Sequence, residues 1–225
     1  MQAQTENYLS EANVLLRNES TFGIVIHTEG MGFNYRRGKH ITGERKRLFE
    51  LEGVSMHHPK EIKITRSDNS KGYYFGKLNS LFLLRSGLGL HRVLFRKAKQ
   101  NGIEIRYALI SGFSFCLAKP VYLDIYGTDQ KTVSTERYDP SLHNQTNIYG
   151  RSSFFTGVDE TKLYPGGYTR FSLCFEMGKQ NSIRLLEVGA IGDLYPYRIP
   201  VMSNIKNQPF FATLYLSVLF GKKWI

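Results

Sequence analysis

A sustained alternation of apolar and polar residues is the feature that most restricts how this sequence folds. From Ile103 to Leu117 the odd positions are Ile103, Ile105, Tyr107, Leu109, Ser111, Phe113, Phe115 and Leu117, while the even ones are Glu104, Arg106, Ala108, Ile110, Gly112, Ser114 and Cys116. A period of two belongs to an extended strand with two unlike faces. The preceding stretch repeats it, with Phe82, Leu84, Leu88 and Leu90 opposite Arg85, Gly87, Gly89 and His91, and the basic linker "RKAKQNG" supplies an Asn101-Gly102 turn signal. Towards the C-terminus Thr169, Phe171, Leu173, Phe175 and Met177 oppose Arg170, Ser172, Cys174 and Glu176, and Leu186, Val188, Ala190 and Leu194 oppose Glu187, Gly189 and Asp193. In the closing "FFATLYLSVLFGKKWI", Phe210, Ala212, Leu214, Leu216, Val218 and Phe220 form one apolar row.

These strands outrun the roughly 5–6 residues usual in globular sheets and match the roughly 9–11 that a tilted strand needs to cross a membrane. Their polar faces carry Glu50, Glu52, Arg85, Glu104, Arg106, Arg170, Glu176 and Glu187. A soluble sandwich would turn such a face to water and bury the apolar one. A transmembrane barrel does the reverse, packing opposite charges into a narrow lumen and offering the apolar face to lipid. An eight-stranded barrel has an interior just wide enough to be filled by side chains, so these groups read as a lumenal charge network. The pattern predicts an all-β, eight-stranded antiparallel outer-membrane barrel with long loops.

Strands are predicted near 22–37, 43–56, 80–96, 102–117, 167–178, 182–194 and 209–222. The change of phase around Thr28 to Gly30 is read as a bulge within the first of them. The eighth strand is assigned to "VYLDIYGTD", where Val121, Leu123 and Ile125 alternate with Tyr122, Asp124 and Tyr126 after the Lys119-Pro120 break. An N-terminal strand around Ala12 to Arg17 is the rival. Residues 1–19 are set apart as an N-terminal segment and 20–225 as the barrel domain. The preferred arrangement puts both termini in the periplasm and the tips around 38–42 and 97–101 outside. Segments 57–79, 129–166 and 195–208 are too long for turns, and long connections are often functional.

No run of about 18 apolar residues exists, which excludes a transmembrane helix but not a barrel. Cys116 and Cys174 are too few for a disulfide framework or a zinc site, and both fall on the polar face as small lumen fillers, with a disulfide between them sterically conceivable. Adjacent residues on an extended chain point opposite ways, so His57 and His58 would not share a metal ion, and a turn at the membrane edge is the plainer reading. No cofactor or metal is predicted. Neither a nucleophile elbow nor a phosphate-binding glycine loop is present, and Ser86 and His91 lie on opposite faces, so no enzymatic activity is predicted.

The formal net charge of +11 calls for an anionic neighbour. Arg36, Arg37, Lys39, Arg45 and Lys46 cluster at one tip and Arg96, Lys97 and Lys99 at another, placed to meet lipopolysaccharide phosphates or a protein partner, or simply to form a solvated rim. Nucleic acid fits poorly, because the aromatic residues are spread along strand faces and form no stacking platform beside the basic ones.

The succession "FNYRRGK", "VSMHHPKEIK", "YFGKLN", "LAKPVYLDI", "YDPSLHNQTNIYGR", "LEVGAIGDLYP" and "LYLSVLFGKKW" resembles a group of small conserved outer-membrane β-barrel proteins of Bacteroidota. The resemblance implies residence in the bacterial outer membrane and an accessory role in an outer-membrane assembly or secretion complex, and carries no catalytic residues. The alternative is a stand-alone barrel that binds lipopolysaccharide or stabilises the membrane.

Overall fold

The computed structural model describes residues 17–65, 71–96, 102–127, 129, 132–177, 182–203 and 205–224. Its strands in chain order are β1 (Asn18–His27), β2 (Gly30–His40), β3 (Arg45–Met56), β4 (Lys63–Ile64), β5 (Tyr73–Tyr74), β6 (Asn79–Phe95), β7 (Glu104–Pro120), β8 (Tyr122–Tyr126), β9 (Val133–Arg137), β10 (Ile148–Arg151), β11 (Lys162–Met177), β12 (Ser182–Leu194) and β13 (Phe210–Trp224). A closed antiparallel barrel runs β1-β13-β12-β11-β7-β6-β3-β2, with β1 paired back to β2. Closure leaves no unpaired sheet edge. The seam joins the first strand to the last, with Ile24 opposite Val218 and Asn18 opposite Trp224.

The barrel has eight strands, but not the expected eight. The stretch expected as one strand over 22–37 is two, joined by the two-residue turn Thr28-Glu29, with His27 opposite Gly30. In such a turn residues 26 and 31 face the same side, so the outward row passes from even to odd numbers. A bulge would produce the same change of phase. The stretch at Val121–Tyr126 lies outside the barrel, as the central strand of a small sheet ordered β10-β8-β9. The rival strand at 12–16 falls outside the described residues.

Correcting the eighth strand reverses one expectation. The turn at 41–44, the β6–β7 connection, the start of β1 and the end of β13 now lie at one end. The other end carries the Thr28-Glu29 turn and all three long connections. The basic tips therefore share an end with the short turns and with Asn18 and Trp224, opposite the long connections.

Those connections are folded. Tyr73, Val121, Leu123, Ile125, Tyr138 and Ile148 make a buried core above the barrel rim. A second cluster, with Met56, Leu83, Cys116, Tyr195, Ile199 and Met202, fills the mouth beneath it. Backbone hydrogen bonds knit the segments together: Leu78 N–H to Val201 O at 2.9 Å, Val121 N–H to Leu78 O at 3.0 Å, and Arg151 N–H to Lys71 O at 3.0 Å. Asn207 accepts from the Val201 amide at 2.8 Å and donates to Met202 O at 3.1 Å, closing the 195–209 connection on itself. The result is a cap with its own apolar core.

Candidate functional site

Alternation in the barrel strands sends one row outward and one inward. Leu88 (70% exposed), Phe113 (69%), Leu214 (65%) and Phe220 (60%) belong to an apolar surface that encircles the molecule. Monomeric soluble proteins rarely expose contiguous apolar patches beyond a few hundred Å². Along β13 this row runs from Phe210 to Phe220, which at a rise of roughly 3.3 Å per residue and a tilt of about 40° spans about 25 Å. That is the height of the lipid-facing band of an outer-membrane barrel.

The chain is an eight-stranded barrel of the bacterial outer membrane. Short turns in such barrels are periplasmic and long ones extracellular, so the cap faces outward and the basic end faces the periplasm.

The inward row closes the lumen with two ionic clusters. In the central one, Arg170 donates from Nη1 to Glu50 at 2.8 Å and from Nη2 to Glu52. Arg85 donates to Glu52 at 2.6 Å and through Nε and Nη2 to Asp193 at 2.9 and 2.6 Å. Arg36 joins Glu50 to Glu187, reaching the latter from Nη2 at 2.8 Å. Tyr168 donates to Glu50 at 3.1 Å, Tyr215 to Glu187, Ser114 to Asp193 at 2.7 Å, and Asn34 to both Glu50 and Glu52. The Arg170 guanidinium lies 4.6 Å from the Tyr215 ring centre. Room for this comes from small residues: a Cβ on Gly87 would sit 2.4 Å from the Tyr168 hydroxyl.

The second cluster lies towards the periplasmic end. Lys46 donates to Glu19 at 2.5 Å, Arg106 pairs with Glu104 and, at 3.1 Å, with Glu176, and Lys223 donates to Glu176 at 2.6 Å. Leu48, Ala108, Ile110, Cys174, Ile183 and Leu219 fill the space between the ionic groups. Water-exposed ion pairs contribute little, whereas buried ones cost much to break because a partner is left charged and desolvated.

Every residue of the expected lumenal network thus faces the interior, divided between the two clusters. Arg36 and Lys46, expected at a basic tip, do not reach it; they share the inward phase of Asn34 and Leu48 and are buried. Glu19, Asn34, Tyr168, Tyr215 and Lys223 were not expected in the network. Placing the turn at 28–29 gives Glu19 and Asn34 from alternation alone. Arg37, Lys39 and Arg45 point outward at the periplasmic end, Arg96 is exposed and pairs with Glu44 at 2.9 Å, and Lys97 and Lys99 lie outside the described residues.

Cys116 and Cys174 are both free and buried. Cys116 is level with Tyr164 on β11, while Cys174 on that strand is level with Arg106, an offset of about 30 Å along the strands that rules out the conceivable disulfide. His58 begins a turn, its amide donating to Glu61 and its Nδ1 accepting from the Lys60 amide at 3.1 Å. Among the described residues no group of three or more His, Cys, Asp and Glu is placed to hold a metal ion. Ser86 faces outward from β6 and His91 inward, so they form no catalytic pair.

On the cap, Asp139 accepts from the amide and hydroxyl of Ser141 at 2.8 and 2.6 Å, which holds its carboxyl below the ordinary range. Hydrogen bonds from Ser134 and His143 lower Glu136 likewise.

No protein-family model matches the chain. No curated protein matches it either. Among solved structures it is similar to Ail, the attachment invasion locus protein of Yersinia pestis, crystallised with the heparin analogue sucrose octasulfate; the two are 6% identical over 93% of this chain and 99% of Ail, with a TM-score of 0.44. It is also similar to the N-terminal β-barrel domain of Pseudomonas aeruginosa OprF, at 8% identity over 93% of this chain and 98% of that one, with a TM-score of 0.39.

Proposed function

We propose that this barrel is a non-enzymatic scaffold, an accessory subunit of a larger outer-membrane assembly or secretion complex that engages a protein partner through its cap. The folded cap carries the reading. Its segments make a separate apolar core and bond to one another through backbone groups, a construction that closing the barrel mouth does not itself require. It also presents apolar side chains to water, including Ile62 (73% exposed) and Leu142 (68%). The filled lumen argues against a diffusion channel, and the resemblance to small envelope barrels of Bacteroidota points towards an accessory role. The lipopolysaccharide alternative draws no support from Arg37, Lys39 and Arg45, which point outward at the short-turn end, away from the cap.

The test is purification from native membranes in mild detergent, comparing the wild type with Ile62→Asp and Leu142→Asp. The proposal expects a stoichiometric larger protein with the wild type and its loss from variants that retain the fold. A solitary wild-type barrel after gentle extraction contradicts it.

A further inference from the structure

Inward-facing cations in this barrel find carboxylates; a set of outward-facing ones does not. On β2 the apolar row Met31, Phe33, Tyr35 gives way to Arg37 and Lys39, and on β3 the row of Leu51 and Phe49 gives way to Arg47 and Arg45. The same change occurs at Arg92 on β6, Arg184 on β12 and Lys222 on β13. These side chains are exposed, and none is within ion-pair distance of a described carboxylate.

The barrel order β12-β13-β1-β2-β3-β6 makes them one continuous arc, with β1 contributing only the small polar Asn18 and Ser20. Register brings like charges face to face: Lys39 is opposite Arg47, and Arg45 is opposite Arg92. Like charges directly opposed across a sheet are destabilising unless an anion lies between or beside them. The remaining strands lack the arc, since β7 and β11 carry Ile105, Tyr107, Phe175 and Met177 at this end.

Two further observations point to the neighbour. The arc abuts the edge of the lipid-facing band, the depth at which phosphates lie. Trp224 stands at the same level, an aromatic of the kind that anchors at membrane interfaces. The cap at the opposite end mixes signs, with Asp124, Glu136, Asp139 and Glu160 among its basic residues. Among the described residues, by contrast, the outward faces of the arc strands at the short-turn end carry these cations and no carboxylate.

We propose that this arc binds the phosphates of anionic phospholipids in the periplasmic leaflet of the outer membrane. Arg37 and Lys39 lie about 7 Å apart along one strand, and Arg47 lies beside Lys39 on the next, so a phosphate has donors on two strands at once. Positions on β7 and β11 form the gap in the arc where phospholipid is not gripped. The proposal rests on the assignment of the short-turn end to the periplasm and is independent of the cap's partner.

The test uses the full chain refolded in nanodiscs of phosphatidylcholine, phosphatidylcholine with phosphatidylglycerol, or phosphatidylcholine with lipid A. Retained lipid is counted by native mass spectrometry after detergent transfer. The triple variant Arg37→Gln/Arg47→Gln/Arg92→Gln is compared with wild type and with the cap variant Arg137→Gln/Arg198→Gln. Each removed charge weakens binding to an anionic surface by roughly fivefold. The expected result is selective retention of phosphatidylglycerol by wild type and the cap variant, and at least a tenfold loss in the triple variant, with the loss reproduced in wild type by high salt. Far-ultraviolet circular dichroism and the folded-form mobility on unheated gels show that each variant is folded. Equal retention by the triple variant overturns the proposal. Preference of the arc for lipid A over phosphatidylglycerol also overturns it and places this end in the outer leaflet.

Discussion

Replacing Arg170 by Met removes the central tie of the lumen. The guanidinium is wholly buried, joins Glu50 to Glu52 and stacks on Tyr215. Without it, Arg36 and Arg85 remain to neutralise Glu50, Glu52, Glu187 and Asp193, so carboxylates outnumber cations two to one in that layer. Methionine fills most of the volume, so the loss is chiefly electrostatic. Breaking a buried ionic network from one side costs about 3–5 kcal/mol. Glu52→Gln in the same background removes one stranded charge, and the double variant should lose less than the sum of the singles by about 1–3 kcal/mol. The assay is urea unfolding of the protein refolded in phospholipid vesicles, followed through Trp224, the single tryptophan. A loss below about 1 kcal/mol for Arg170→Met, or strict additivity with Glu52→Gln, refutes the view that the network holds the lumen together.

Gly87→Leu drives a side chain into the Tyr168 hydroxyl and should destabilise the barrel by about 1–3 kcal/mol in the same assay, and Tyr168→Ala added to it should recover part of that loss. On the cap, Asp139 and Glu136 should titrate by nuclear magnetic resonance below their ordinary values of 3.8 and 4.5, and Ser141→Ala should bring Asp139 back up. Because both folded values are depressed, their contribution to cap stability is complete above the ordinary range and is lost as pH falls through the lowered values. Cap amide protection, corrected for intrinsic exchange, should therefore be level above about pH 5 and fall below it.

The barrel and its two faces were legible because little besides a two-faced strand produces period-two alternation over such long stretches. Glu50, Glu52, Arg85, Arg106 and Arg170 could be assigned to the lumen from phase alone. The misplaced strand has a definite cause. Thr28-Glu29 lacks the Asn-Gly or Asp-Gly chemistry that announces a two-residue hairpin, and such a turn shifts the phase as a bulge would. The same slip left Arg36 among the tip residues, since its partners Glu50 and Glu187 follow only once β2 stands alone. Val121, Leu123 and Ile125 alternate as convincingly as a barrel strand, but their buried face meets the cap core. Alternation reports a half-buried strand and is silent about what covers it. The cap itself was hidden because its core joins β8 to residues of a separate connection, among them Tyr73, and no local pattern announces that pairing.

The outward cap and the periplasmic cationic arc both depend on which way the barrel sits in the membrane. Single cysteines at Leu142 on the cap and at Thr42 in the short β2–β3 turn decide it, the native Cys116 and Cys174 being buried. Intact cells are treated with a membrane-impermeant maleimide before and after the outer membrane is permeabilised. Leu142→Cys should label in intact cells and Thr42→Cys only after permeabilisation; the opposite pattern contradicts the assigned orientation.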